Sequence, residues 1–129
     1  MPGVAEYLRH IREVIDNAPY VLSRSLEFED RGGIALVLQG KLIFDDFSEL
    51  HVREYILFLG KAVKIAYSYH YQDEKANLIF RYDNAEHHSE VETYPHHKHI
   101  SGEPPTSSRE VTLNEVISEI CNRFIKKKR

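Results

Sequence analysis

Hydrophobic positions along the chain follow two different periods. Residues 3–16 place Tyr7, Leu8, Ile11, Val14 and Ile15 on one face at helical spacing, and Asn17, Ala18 and Pro19 form a stop, so the chain opens with an amphipathic helix. From Tyr20 the period changes. Residues 22–30 alternate apolar and polar side chains, Arg31, Gly32 and Gly33 can turn, and residues 34–44 resume as an apolar strand, which together read as a hairpin. Asp45 and Asp46 mark the next turn. Residues 50–59 and 63–71 are two further β-rich runs divided near Gly60 and Lys61, and Asp73, Glu74 and Lys75 break the chain before residues 77–82. Turns this short join antiparallel neighbours, because a parallel crossover needs about a dozen residues or more.

Residues 93–99 form a last, partly polar strand, and residues 101–108, rich in Pro and Ser, read as a connecting loop. Thr112 and Glu115 have the spacing of a capping box ahead of Leu113, Val116, Ile117, Ile120 and Phe124, which repeat at helical spacing. The expected fold is a single α+β domain over residues 1–129: a strongly curved antiparallel β-sheet with N- and C-terminal helices, the latter covering one sheet face.

Composition narrows the class. With 129 residues, 42% of them hydrophobic, the chain can bury one sizeable core. Its longest apolar runs, residues 33–38 and 56–60, fall far short of the roughly 20 residues that span a bilayer. The first residues lack the basic and apolar regions of a secretory signal, so no membrane association is expected and a cytoplasmic location is. A single cysteine, Cys121, excludes an internal disulfide or a cysteine-built zinc site, and its place on the apolar stripe of the last helix makes it a core thiol. The net charge of −3 argues against a protein that coats DNA by bulk positive charge. The basic end, residues 126–129, is read as a solvated tail favoured by the helix dipole.

Candidate chemistry concentrates in residues 70–99, which hold six of the eight histidines. Period-two alternation separates Tyr67, Tyr69 and Tyr71 from Ser68, His70 and Gln72, and separates Phe80 and Tyr82 from Arg81 and Asp83. Arg81 and Asp83 share a face with His70 in one register, and a slip of one residue reverses that. In the returning strand His97 and His99 share a face, while His96 and Lys98 share the other. One reading is phosphodiester cleavage without metal or other cofactor: one histidine takes a proton from the attacking hydroxyl, another protonates the leaving oxygen, and Arg81 or Lys98 stabilises phosphate charge. Histidine suits this because its ordinary pKa near 6.5 populates both protonation states around neutrality. RNA is the natural substrate, since its 2′-hydroxyl supplies an internal nucleophile, and Tyr67, Tyr69, Tyr82 and Tyr94 offer faces on which bases stack.

The catalytic candidates are therefore His70, Arg81, Asp83, His97 and Lys98, with Tyr82, Asn84, His87, His88, His96 and His99 as binding candidates. A metal site built from His87, His88, His97 or His99 with Asp83 is the weaker alternative, because the spacing matches no zinc signature and Lys98 between histidines would repel a cation. Five Lys or Arg against six Asp or Glu in residues 61–99 nearly cancel, which weakens the case for nucleic acid. On a purely structural reading Arg81 and Asp83 pair across the sheet surface, and His10 and His51 belong to ordinary surface or helix faces.

The residues 67–72 (Tyr-Ser-Tyr-His-Tyr-Gln), 79–85 (Ile-Phe-Arg-Tyr-Asp-Asn-Ala), His87-His88 and 95–99 (Pro-His-His-Lys-His) resemble the TumE-like family of small prokaryotic proteins, regarded as toxins of toxin–antitoxin pairs. The matching positions are Arg81, Tyr82, Asp83, Asn84, His87, His88, His96, His97, Lys98 and His99. In that family proline commonly precedes the paired histidines, where this chain has Glu86. The resemblance implies a toxin, growth inhibition when it is expressed alone, and a cognate helix-turn-helix antitoxin. It carries no mechanism. The ribonuclease reading stands beside two others, a non-catalytic phosphate- or partner-binding module and a metal-dependent hydrolase; RNA and a second copy of the chain are further candidate partners.

Overall fold

Seven strands in strict chain order form one antiparallel sheet in the computed structural model, which describes residues 3–85 and 95–125. Helix α1 (Val4–Asp16) leads into β1 (Val21–Arg31), β2 (Ala35–Phe44), β3 (Glu49–Phe58), β4 (Ala62–Gln72), β5 (Leu78–Asp83), β6 (His97–Ile100) and β7 (Thr106–Ser107), and α2 (Leu113–Ile120) follows. The expected α+β meander between two helices is what forms. Two details differ. The Pro- and Ser-rich stretch contains the short strand β7, paired to His97 and Lys98, and the last helix continues as a π-helical segment, Cys121–Ile125, where helical spacing predicts an uninterrupted α-helix.

Alternation sets the two faces. Leu36, Leu38, Leu42 and Phe44 of β2, Leu50, Val52 and Ile56 of β3, Tyr67, Tyr69 and Tyr71 of β4 and Phe80 of β5 are buried in one cluster with Ile11 and Ile15 of α1 and Leu113, Val116, Ile117 and Ile120 of α2. Both helices thus bury their apolar stripes on the same side of the sheet. Gly40 leaves room for the β1 backbone: a Cβ there would lie 3.1 Å from the Ser25 carbonyl oxygen, and Ile15 Cδ1 of α1 packs over the same point at 3.9 Å. Arg24 fastens the helix end, donating to the carbonyls of Ile15 and Ala18. The capping box is present, with Thr112 Oγ1 accepting from the Glu115 amide at 3.2 Å and Glu115 Oε1 from the Thr112 amide at 3.1 Å. Cys121 is buried against the Pro19 carbonyl, as a core thiol should be. No helix among the described residues is long and apolar enough to cross a membrane.

Within the core face lies a polar cluster. Glu54, in the apolar phase of β3, accepts hydrogen bonds from the hydroxyls of Tyr7 and Tyr69. Lys64 donates to Tyr69 Oη at 2.6 Å and to the Val111 carbonyl at 2.5 Å. A buried carboxylate is tolerable only with such partners.

The opposite face, which no helix among the described residues covers, carries the second phase of each strand. Register places Lys41, His51, His70, Arg81 and His99 side by side across β2 to β6, and Gln39, Arg53, Ser68, Asp83 and His97 in the neighbouring row.

Candidate functional site

Asp83 is the hub of the site. It ends β5, and its carboxylate is buried, 5% exposed. Arg81 Nε donates to Oδ2 at 2.9 Å, and the Ala85 amide donates to Oδ1 at 3.1 Å. Nε2 of His97 lies 2.6 Å from Oδ1, and Nε2 of His99 lies 3.4 Å from Oδ2. The two imidazole rings sit 4.8 Å apart and nearly perpendicular. The β5–β6 register, Asp83 opposite His97 and Arg81 opposite His99, makes this convergence, because directly paired residues project from the same side of a sheet.

His97 is completely buried, and its Nδ1 is 2.8 Å from the Pro95 carbonyl oxygen. A carbonyl can only accept, so Nδ1 carries the hydrogen and Nε2 is the nitrogen turned toward Asp83. Both ring nitrogens are engaged. His97 thus holds the site together and has no edge for substrate.

His70 stands opposite Arg81 in the register of β4 and β5 and on the same face, the arrangement alternation allowed. Its Nε2 lies 3.1 Å from Gln72 Oε1, and its ring meets His51 edge-on at 6.0 Å. Burial pushes the His70 pKa below the ordinary value; the Gln72 contact opposes this, while the charges of Arg81 and His51 act in the same direction as burial. A groove of about 690 Å³ runs beside the cluster, lined by Arg53, Tyr55, Ser68, Arg81, Asp83 and Asn84 among others.

Lys98 does not join this group. It projects through the other face, where Nζ meets Glu119 Oε2 at 2.9 Å and lies 4.7 Å from the centre of the Tyr82 ring. Burial pushes its pKa down, but the hydrogen bonds with Tyr82 and Glu119 prevail and leave it above its ordinary value. Tyr82 is on that face too, donating to Glu119 Oε1 at 2.6 Å. His96 stacks on Tyr67 and shares a 2.9 Å hydrogen bond with its hydroxyl. Asn84 works on the backbone: beyond the last β4–β5 pair its side chain accepts from the Tyr67 amide and donates to the Ile65 carbonyl, each at 3.0 Å. His87 and His88 lie outside the described residues, as do Tyr94 and the basic end at residues 126–129.

Of the sequence candidates, the structure therefore brings together Arg81, Asp83, His97 and His99, with His70 adjacent to Arg81, and separates Lys98, Tyr82 and His96 from them by the thickness of the sheet. Arg53, which lines the groove, was not among the candidates. Its signal is the same alternation, which sets residue 53 opposite in phase to Leu50, Val52 and Ile56.

The sequence model of a family described as Toxin TumE matches residues 11–125. The chain belongs to the TumE toxin family. The match covers residues 11–16 of α1 and all of β1 to β7 and α2, so the Asp83 cluster and the groove lie inside the shared region, and membership supports a toxin role. Searches of curated proteins and of solved structures gave no match.

Proposed function

We propose that this TumE-family toxin acts on RNA at the face of its sheet opposite the two helices and cleaves the phosphodiester backbone there. The observation that carries the reading is the Asp83 carboxylate held by Arg81 with two histidine rings turned onto it, at the rim of a groove that also exposes Arg53. The side chain of Arg81 is 33% exposed, and a guanidinium fixed at Nε by Asp83 keeps its terminal nitrogens for a bidentate phosphate contact. His70, beside it, is the base: its lowered pKa keeps the ring neutral near pH 7, ready to take the 2′-hydroxyl proton. The Asp83–His97–His99 cluster receives the leaving oxygen. With His97 fully engaged, the proton-donating part expected of it in metal-free chemistry passes to His99, and His97 is a positioning residue. Lys98, on the other face, takes no part.

The partner of such a toxin is a cognate antitoxin, and its helix-turn-helix character belongs to this proposal. Co-expression should restore growth that the unpaired toxin arrests.

The direct test uses an RNA oligonucleotide that the purified toxin cuts, together with the same sequence carrying 2′-deoxyribose at the cut position. Cleavage of the first and not the second is expected. Equal cleavage of both would overturn the 2′-hydroxyl mechanism. Binding of RNA without cleavage of either would convert the site into a phosphate-docking surface.

A further inference from the structure

We infer that Asp83, His97 and His99 form a binding site for one divalent transition-metal ion of the zinc type. The inference deepens the functional reading of the same cluster, but it stands on ligand geometry and is testable without RNA.

The ligand atoms Asp83 Oδ, His97 Nε2 and His99 Nε2 all lie within 4.8 Å of one another. Zinc bonds of roughly 2.0–2.2 Å to nitrogen and oxygen, set at tetrahedral angles, place neighbouring ligand atoms about 3.3 Å apart. The 3.4 Å between His99 Nε2 and Asp83 Oδ2 has that spacing and exceeds the roughly 2.7–2.9 Å of a charge-assisted hydrogen bond.

The tautomer of His97 points the same way. Its Nδ1 hydrogen is committed to the Pro95 carbonyl, so in neutral imidazole Nε2 presents a lone pair to a carboxylate that presents another. At 2.6 Å the centre between them is a proton; an ion entering the site would displace it and part the two atoms to about 3.3 Å. A histidine whose second nitrogen is anchored to a backbone carbonyl is the usual form of a metal-ligating histidine. Asp83 is fixed likewise, by the Arg81 guanidinium and the Ala85 amide. Both supports stand just outside the ligand atoms and fix their aim.

Two imidazoles and one carboxylate select zinc, cobalt, nickel, iron or manganese over magnesium and calcium, which prefer all-oxygen shells. Three protein ligands leave coordination positions for water or a phosphate oxygen, as in catalytic rather than structural zinc sites. The objection from sequence was the charge of Lys98. It disappears with the fold, because Lys98 is ion-paired to Glu119 on the far side of the sheet. A bound ion would take over from His99 the task of stabilising the leaving oxygen.

Cobalt(II) and zinc(II) titrations of the purified, metal-stripped full chain test the site. One equivalent of Co²⁺ should produce visible ligand-field absorption that one equivalent of Zn²⁺ displaces, and Zn²⁺ should raise the melting temperature. Asp83→Asn and His99→Ala should each weaken Zn²⁺ binding by roughly a hundredfold, whereas His10→Ala, on the exposed side of α1, should leave it unchanged. Circular dichroism of each variant separates lost ligation from lost folding, and His99, the most peripheral of the three, is the variant to rely on. No saturable binding of either ion, or binding that survives both Asp83→Asn and His99→Ala, would overturn the site. Full RNA cleavage in EDTA would remove the ion's catalytic part while the titrations decide the site itself. A saturable ion site in a toxin that cuts no RNA would overturn the functional reading and leave this one standing.

Discussion

His97 Nε2 approaches Asp83 Oδ1 at 2.6 Å while the other nitrogen of the same ring is held by the Pro95 carbonyl at 2.8 Å. One ring thus ties the start of β6 to the end of β5 at the point where the chain leaves the sheet. Replacing His97 by Ala removes both contacts and opens a cavity in a site with no exposed surface, so a loss of about 2–4 kcal/mol is expected in urea unfolding. A loss below about 0.5 kcal/mol, the scale of ordinary surface substitutions, would contradict the tie.

The buried Glu54 of the helix-facing side predicts a different defect. Glu54→Ala strands the Tyr7 and Tyr69 hydroxyls and leaves the Lys64 ammonium 4.0 Å from an empty position, at a cost of about 3–5 kcal/mol. Glu54 forms part of the groove wall, but its carboxylate turns to the Tyr7 and Tyr69 hydroxyls on the helix-facing side, so any folded fraction should retain the affinity for RNA of the unaltered chain. Lost affinity in folded protein would place Glu54 in the site.

Alkaline pH should unfold the domain before its buried tyrosines titrate. Burial pushes the Tyr71 pKa up to about 12 and, with help from neighbouring carboxylates, raises those of Tyr67 and Tyr69 well above the ordinary value near 10. A folded pKa raised above the unfolded one favours the protonated native state. The contribution is complete below pH 10 and is lost above it, as the unfolded chain ionises and the native chain does not. Each such tyrosine costs about 1.4 kcal/mol per pH unit in that window. Phenolate absorbance should therefore rise together with loss of circular dichroism; smooth titration of all eight tyrosines in a still-folded chain would contradict the burial.

The acid side of the activity profile belongs to His70. Its pKa lies below the ordinary value, and the neutral ring is the active form, so RNA cleavage should climb with pH through a point under about 6.5 and level off near neutrality. His70→Ala should slow cleavage by roughly 10²–10⁴-fold and abolish that acid limb. A profile unchanged in shape would assign the limb to another group.

How far these features were legible in the sequence depended on the period that carried them. Strand order, the hairpin, both helices and the Thr112–Glu115 capping box follow from local spacing and turn residues. The pairing of His70 with Arg81 depends on the β4–β5 register, and that register contains a bulge between Tyr71 and Gln72 that no local pattern announces. Lys98 is the instructive case. Alternation in residues 97–99 already set it opposite His97 and His99, but proximity in sequence suggested a shared task; the pleat of the strand overrules that. The Glu54 cluster was visible only as one acidic residue in the apolar phase of β3, and its partners come from α1 and β4, far away in the chain. That Asp83 gathers both His97 and His99 needed the β5–β6 pairing, set after an intervening segment that sequence does not register.

The two faces of the sheet give the most direct test of the central claim, that chemistry belongs to the face opposite the helices. Initial rates of RNA cleavage should be compared for Arg81→Ala and Lys98→Ala, each shown to be folded at the assay temperature. The account predicts a fall of roughly 10²-fold or more for Arg81→Ala, from loss of the phosphate-holding guanidinium. For Lys98→Ala it predicts cleavage within about twofold of the unaltered chain, with about 1.5–3 kcal/mol of stability lost with the largely buried Glu119 pair. A Lys98→Ala rate as low as that of Arg81→Ala, or an Arg81→Ala rate that matches the unaltered protein, would contradict it.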